Sequence, residues 1–164
     1  MKKLAEVLWK ISVVNDHVLS IAGIRQCVLY DITQQKELKS LSYDYGRAGF
    51  LSMKDQFIVY CDEIKYCLNA ETLEEQEPED GLEQFVEDMW EANDRDVFAP
   101  MKAWNDTVVC VTTKAIYEYR DGKTVNALSV PDTVHGGTSF NGMLPICKGS
   151  QNTYYLSALS AGET

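Results

Sequence analysis

The stretch Asp132-Thr133-Val134-His135-Gly136-Gly137-Thr138-Ser139 gathers an acid, an imidazole, a glycine pair and hydroxyls within eight residues. That is material for acyl transfer: His135 would act as base to Ser139, and a His-Gly-Gly backbone can supply oxyanion donors. The elements that must position such groups are missing. No Gly-x-Ser-x-Gly elbow occurs, and the stretch reads as a loop linking two groups of strands. A small hydrolase using the His135 loop therefore stands as an alternative reading, and no catalytic residue is assigned. The other histidine, His17, follows a turn acid and precedes a strand, which suits a structural residue at the surface.

The five cysteines (27, 61, 67, 110 and 147) offer no Cys-x-x-Cys pair, and four lie inside apolar runs, where a thiol behaves as a small buried hydrophobe. If Asp62 and Glu63 form a two-residue turn, Cys61 faces Ile64 and Cys67 faces Ile58, so the two sulfurs do not meet. Free reduced thiols are expected, with neither a metal site nor a cofactor. Glycine-rich phosphate loops are also absent from the sequence.

Net charge is −10 over 164 residues, and its distribution is uneven. Twelve Asp or Glu and one Arg lie between residues 71 and 96, leaving thirteen acids against fourteen bases elsewhere. No cluster of Lys and Arg is available to neutralise phosphates, which argues against direct nucleic-acid binding. Met1-Lys2-Lys3 is followed only by a short apolar patch broken by Glu6 and Lys10, and no run approaches a membrane span. A cytoplasmic protein without membrane attachment is expected.

Within the acidic stretch, Leu82, Phe85, Val86, Met89 and Trp90 fall at helical spacing on one stripe. Asp80 can cap the first turn and Glu83 can complete a capping box, so the spacing predicts an amphipathic helix over about 81–92. Such a helix can dock a partner through Phe85, Met89 and Trp90, with Glu87, Asp88 and Glu91 steering a basic protein. It can equally pack its stripe on its own sheet and turn the acids to water.

The remaining elements are strands, and they repeat. Asp16 to Thr33 returns as Asp55 to Thr72, thirty-nine residues on and without a gap, and again from Asp106. Each copy has a turn acid, an apolar run, a short break and a second apolar run. A preceding strand (Leu8 to Val14, Ala48 to Met53, Met101 to Trp104) and an alternating outer strand (Lys36 to Ser42, Lys123 to Val130) complete the unit. A fainter fourth unit runs from Met143 to Leu159, and in the second unit the acidic helix replaces the outer strand.

Unit spacings of thirty-nine, fifty-one and forty-six residues bracket the roughly 40 to 45 of a four-stranded blade. The chain resembles WD40-like β-propeller repeats, with Tyr30-Asp31 nearest the closing Trp-Asp pair, Arg120-Asp121 matching at the Asp only, and no Gly-His pair in place. The resemblance implies an all-β fold of antiparallel four-stranded blades, a partial or small propeller with one acidic helix inserted. It would be a single domain with units at about 8–42, 48–78, 99–130 and 141–160 and an insert at about 79–96. It further implies a non-catalytic protein–protein interaction scaffold or subunit of a larger complex, working through blade loops, open strand edges and the acidic helix. An acidic inhibitor or immunity-type binder of a basic protein is the second alternative. Closure of the ring would need Leu4 to Val7, a longer propeller, a homo-oligomer or another subunit.

Overall fold

The computed structural model describes residue 8 and residues 10–44, 48–92, 101–104, 107–111, 115–129, 134–140, 143–149 and 154–155. Leu4 to Val7, the Asn105-Asp106 turn, the end of the acidic insert, Asp132-Thr133 and the run after Tyr155 lie outside the described residues. The chain divides into two compact units, Met1–Glu77 and Pro78–Thr164.

In the first unit, β1 (Lys10–Val13), β2 (Val18–Ala22), β3 (Gln26–Asp31) and β4 (Lys36–Ser42) form one antiparallel sheet in sequential order. β5 (Gly49–Ser52), β6 (Gln56–Tyr60) and β7 (Ile64–Asn69) form a second. A core cluster that includes Val18, Ala22, Cys27 and Leu29 of the first sheet with Phe50, Phe57, Val59 and Leu68 of the second holds the two together. Burying each such large aliphatic or aromatic side chain contributes about 1.5–3 kcal/mol relative to leaving it in water. The edge of β7 is not left bare. Glu74 O accepts from Asn69 N at 2.8 Å, Glu75 bridges to Leu68, and Gln76 N donates to Cys67 O at 3.0 Å. A remnant of the outer strand thus survives where the sequence suggested complete replacement, because exposed ladder groups need partners.

The repeat is offset by one residue from the gap-free reading. β5 lies thirty-nine residues after β1, but β6 and β7 lie thirty-eight after β2 and β3. The turn between β1 and β2 has four residues and that between β5 and β6 has three. The offset matters because a one-residue slip in a strand exchanges its two faces. At the end of β6, Cys61 belongs to a three-residue turn in which its N–H donates to Glu63 O at 2.9 Å, and Tyr60 pairs with Ile64. Cys67 does sit opposite Ile58.

In the second unit, α1 (Leu82–Ala92) precedes the antiparallel sheet of β8 (Met101–Trp104), β9 (Thr107–Val111), β10 (Ala115–Arg120) and β11 (Lys123–Ser129). Asp121 and Gly122 join β10 to β11 with φ of 50° and 72°, the left-handed pair that a two-residue hairpin turn matching strand twist requires. A last sheet holds β12 (Val134–Phe140), β13 (Met143–Gly149) and β14 (Tyr154–Tyr155). Among the described residues all pairings are antiparallel and α1 is the one helix, so the fold is all-β, built of blade-type sheets.

Candidate functional site

Two turns and a strand end form an open concavity of about 470 Å³ in the first unit. It is lined by the β1–β2 turn (Val14, Asn15, Asp16, His17), the β5–β6 turn (Lys54, Asp55) and the residues closing β7 (Asn69, Ala70, Glu71). The floor is rigid for reasons visible in the hydrogen bonds. Asn15 Oδ1 accepts from His17 N at 3.0 Å and Val18 N at 2.9 Å, folding the chain into β2. Asn15 Nδ2 donates to Ala70 O at 2.7 Å, tying together turns fifty-five residues apart. Asn69 Oδ1 accepts from Glu71 N at 3.0 Å and Thr72 N at 2.9 Å. Asparagine suits all three tasks, since its short amide can both accept and donate close to the backbone.

Asp16, His17, Lys54, Asp55 and Glu71 stand exposed around this floor, and their side chains make no hydrogen bond or ion pair among the described residues. Three carboxylates face one ammonium, so the concavity favours a cationic group. In the sequence, Asp16, Lys54 and Asp55 read as turn residues, His17 as a structural residue at the surface and Glu71 as one acid of the 71–96 stretch. Their grouping depends on two turns brought side by side, and its sole trace is the recurrence of Asn and Asp before successive strands.

The residues marked in the sequence as docking anchors are divided by the structure. Phe85 and Met89 are buried with Leu82 and Val86, and Trp90 is half-buried. Phe85 packs on Tyr119 of β10 with ring centroids 5.5 Å apart. Tyr119 Oη donates to Asp80 O at 2.8 Å. Phe85 thus packs on the sheet that follows the helix in sequence, and Phe85 and Met89 are buried. Gly81, not Asp80, takes the position before the helix, and Phe85 N donates to Gly81 O at 3.0 Å. Glu87, Asp88 and Glu91 are exposed, with Asp88 Oδ1 accepting from Gln84 Nε2 at 2.9 Å one turn away.

His135 and Ser139 lie on β12, which pairs with β13, so the loop inferred for a hydrolase is a strand. Val134, Gly137, Thr138 and Phe140 pair with β13, the register shifts at His135-Gly136 and at Ser139, and the stretch forms no strand-to-helix elbow. Cys27, Cys61, Cys67 and Cys110 are free and buried. Burial pushes the thiols of Cys27, Cys61 and Cys67 up to about 11 and that of Cys110 up to about 12, so they stay protonated at neutral pH and are poor nucleophiles. No group of three or more His, Cys, Asp or Glu among the described residues could hold a metal ion. No helix among them is long and apolar enough to cross a membrane.

Among solved structures, the N-terminal domain of Nup159, a β-propeller, matches 95% of this chain with a TM-score of 0.59 and 13% sequence identity. The likeness is one of fold. The chain spans 42% of the length of that domain's chain. No family model and no curated protein matches the sequence.

Proposed function

We propose that the chain is a non-catalytic, WD40-like protein-binding module, a subunit of a larger complex, that takes a cationic segment of a partner at the concavity between the β1–β2 and β5–β6 turns. The observation that supports this reading is the ring of ionic side chains, without partners among the described residues, around a floor held by Asn15 and Asn69. Turns on a rigid blade scaffold present side chains without the ordering cost of a long loop. The propeller-type fold supports an interaction role by analogy. A second reading, an acidic binder that inhibits a basic protein, is favoured by the exposed row of Glu83, Glu87, Asp88 and Glu91 on α1.

Anisotropy of a labelled Lys- and Arg-rich peptide separates the two. In the first reading, Asp16→Asn with Asp55→Asn and Glu71→Gln weakens binding roughly tenfold or more, while Glu87→Gln with Asp88→Asn and Glu91→Gln leaves it near wild type. The reverse pattern supports the helix reading. Both readings predict weaker binding as salt rises; salt-independent binding, or none, rejects both.

A further inference from the structure

Histidine is the side chain whose charge ordinarily changes between about pH 5 and about pH 8, and one histidine stands on the rim of the turn concavity. His17 is held there by its main chain. Its N–H donates to Asn15 Oδ1 at 3.0 Å, and its carbonyl accepts from Ile32 N at 2.9 Å. The side chain is exposed and makes no hydrogen bond or ion pair among the described residues. The turn thus uses the backbone of this residue and leaves its imidazole unspent.

Charged groups surround it from each neighbouring element. Asp16 stands on the same turn, Lys54 and Asp55 on the β5–β6 turn, and Glu71 after β7. The β3–β4 hairpin adds Asp31, buried with its carboxylate accepting from Thr33 N and Gln34 N, and Lys36, its partner across the ladder. With His17 neutral, the lining holds three carboxylates against one ammonium, two net negative charges, and a proton on His17 leaves one. A cation entering the concavity then meets half the net charge. Carboxylates and ammonium groups ordinarily keep their charge across this interval, so among the lining residues the change falls to His17. We propose that His17 is a proton switch on this site, admitting a cationic segment when neutral and opposing it when protonated. The inference rests on the cation-binding reading of the concavity and adds its regulation.

Anisotropy of a labelled Arg-rich peptide, acetylated and amidated so that it carries no titrating group, tests this at constant low ionic strength between about pH 5.5 and about pH 8. Wild type is expected to bind roughly threefold or more weakly at the acidic end. His17→Gln should bind at every pH as wild type does at the alkaline end. His17→Lys, a permanent cation at the same place, should bind weakly and without a pH step. Both variants keep the main-chain bonds of residue 17, and circular dichroism should match wild type across the range. His135→Gln removes the other histidine and should keep the step. A wild type with no step overturns the switch, as does a step that survives in His17→Gln or a His17→Lys protein that binds like wild type at the alkaline end. Those outcomes leave the cation site standing. Absence of binding at every pH, or binding indifferent to Asp16→Asn with Asp55→Asn and Glu71→Gln, rejects the site itself and the switch with it.

Discussion

Gly81 and Gly122 meet backbone to backbone where α1 begins, and neither position has room for an ordinary side chain. Gly81 has φ of +80° and Gly122 of +72°, and a Cβ on Gly81 would lie 2.9 Å from Gly122 O. A Cβ on Gly122 would lie 3.3 Å from Asp80 O. The Asp-Gly hairpin turn of β10–β11 thus doubles as the seat of the helix. Gly81→Ala combines left-handed strain with a backbone clash and is expected to cost about 2–3 kcal/mol, read as a lower urea midpoint. Gly122→Ala, with the looser contact, should cost about 1–2 kcal/mol. Equal stability of all three proteins would show that the helix start does not depend on this approach.

Tyr119 fixes the same seat and makes it sensitive to alkali. Burial, with the neighbouring charges of Glu79 and Asp80 adding to it, raises its phenol from 10.0 to about 12. The folded chain therefore holds this proton more tightly than the unfolded chain. Its contribution is complete below pH 10 and is lost as pH rises through about 12. The four buried thiols, raised from 9.0 to about 11 or 12, act in the same direction from pH 9 upward. Thermal melts should be level near neutrality and fall steadily above pH 9. Tyr119→Phe should lower stability at neutral pH by about 1 kcal/mol through the lost bond to Asp80 O, and should show a shallower alkaline decline. An alkaline limb identical to that of wild type would remove Tyr119 from this account.

Asp31 and Asn69 perform one task in consecutive blades. Asp31 Oδ1 accepts from Thr33 N at 2.8 Å and Gln34 N at 2.7 Å, and Asn69 Oδ1 takes the N–H groups two and three residues on in the same way. Since the second blade makes the turn with an amide, Asp31→Asn should be tolerated within about 1 kcal/mol. Asp31→Ala strands two donors beside a side chain that is only 3% exposed and should cost about 2–3 kcal/mol. Urea midpoints of the two variants decide it, and comparable losses in both would mean that the charge, not the acceptor geometry, is what matters.

The sequence was most legible where one residue type meets one geometric demand. The stripe of Leu82, Phe85, Val86 and Met89 marked α1, and Asp121-Gly122 marked a hairpin turn. Register was less legible. Phe57, Ile58, Val59 and Tyr60 are all buried, so β6 shows no alternation to fix which face is which, and a gap-free alignment slid by one residue. β12 was hidden because His135, Gly136 and Gly137 have the composition of a loop, and only the pairing of their neighbours Val134 and Thr138, and of Gly137 itself, with β13 carries the strand through them. The concavity was not legible at all, since the Asn15 to Ala70 bond joins residues whose proximity no local pattern encodes.

The helix offers the sharpest separation of a structural role from a binding role. Phe85 is fully buried against Tyr119, so Phe85→Ala leaves a cavity and should cost about 3–5 kcal/mol, with loss of signal at the helical circular dichroism minimum. Glu87 is exposed on the other side, and Glu87→Gln should change stability by less than about 0.5 kcal/mol. If the acidic row carries binding, the second substitution weakens capture of a basic peptide while the protein melts as before. A Phe85→Ala protein that keeps its helix and its urea midpoint but loses that capture would reverse the assignment and make Phe85 a docking anchor after all.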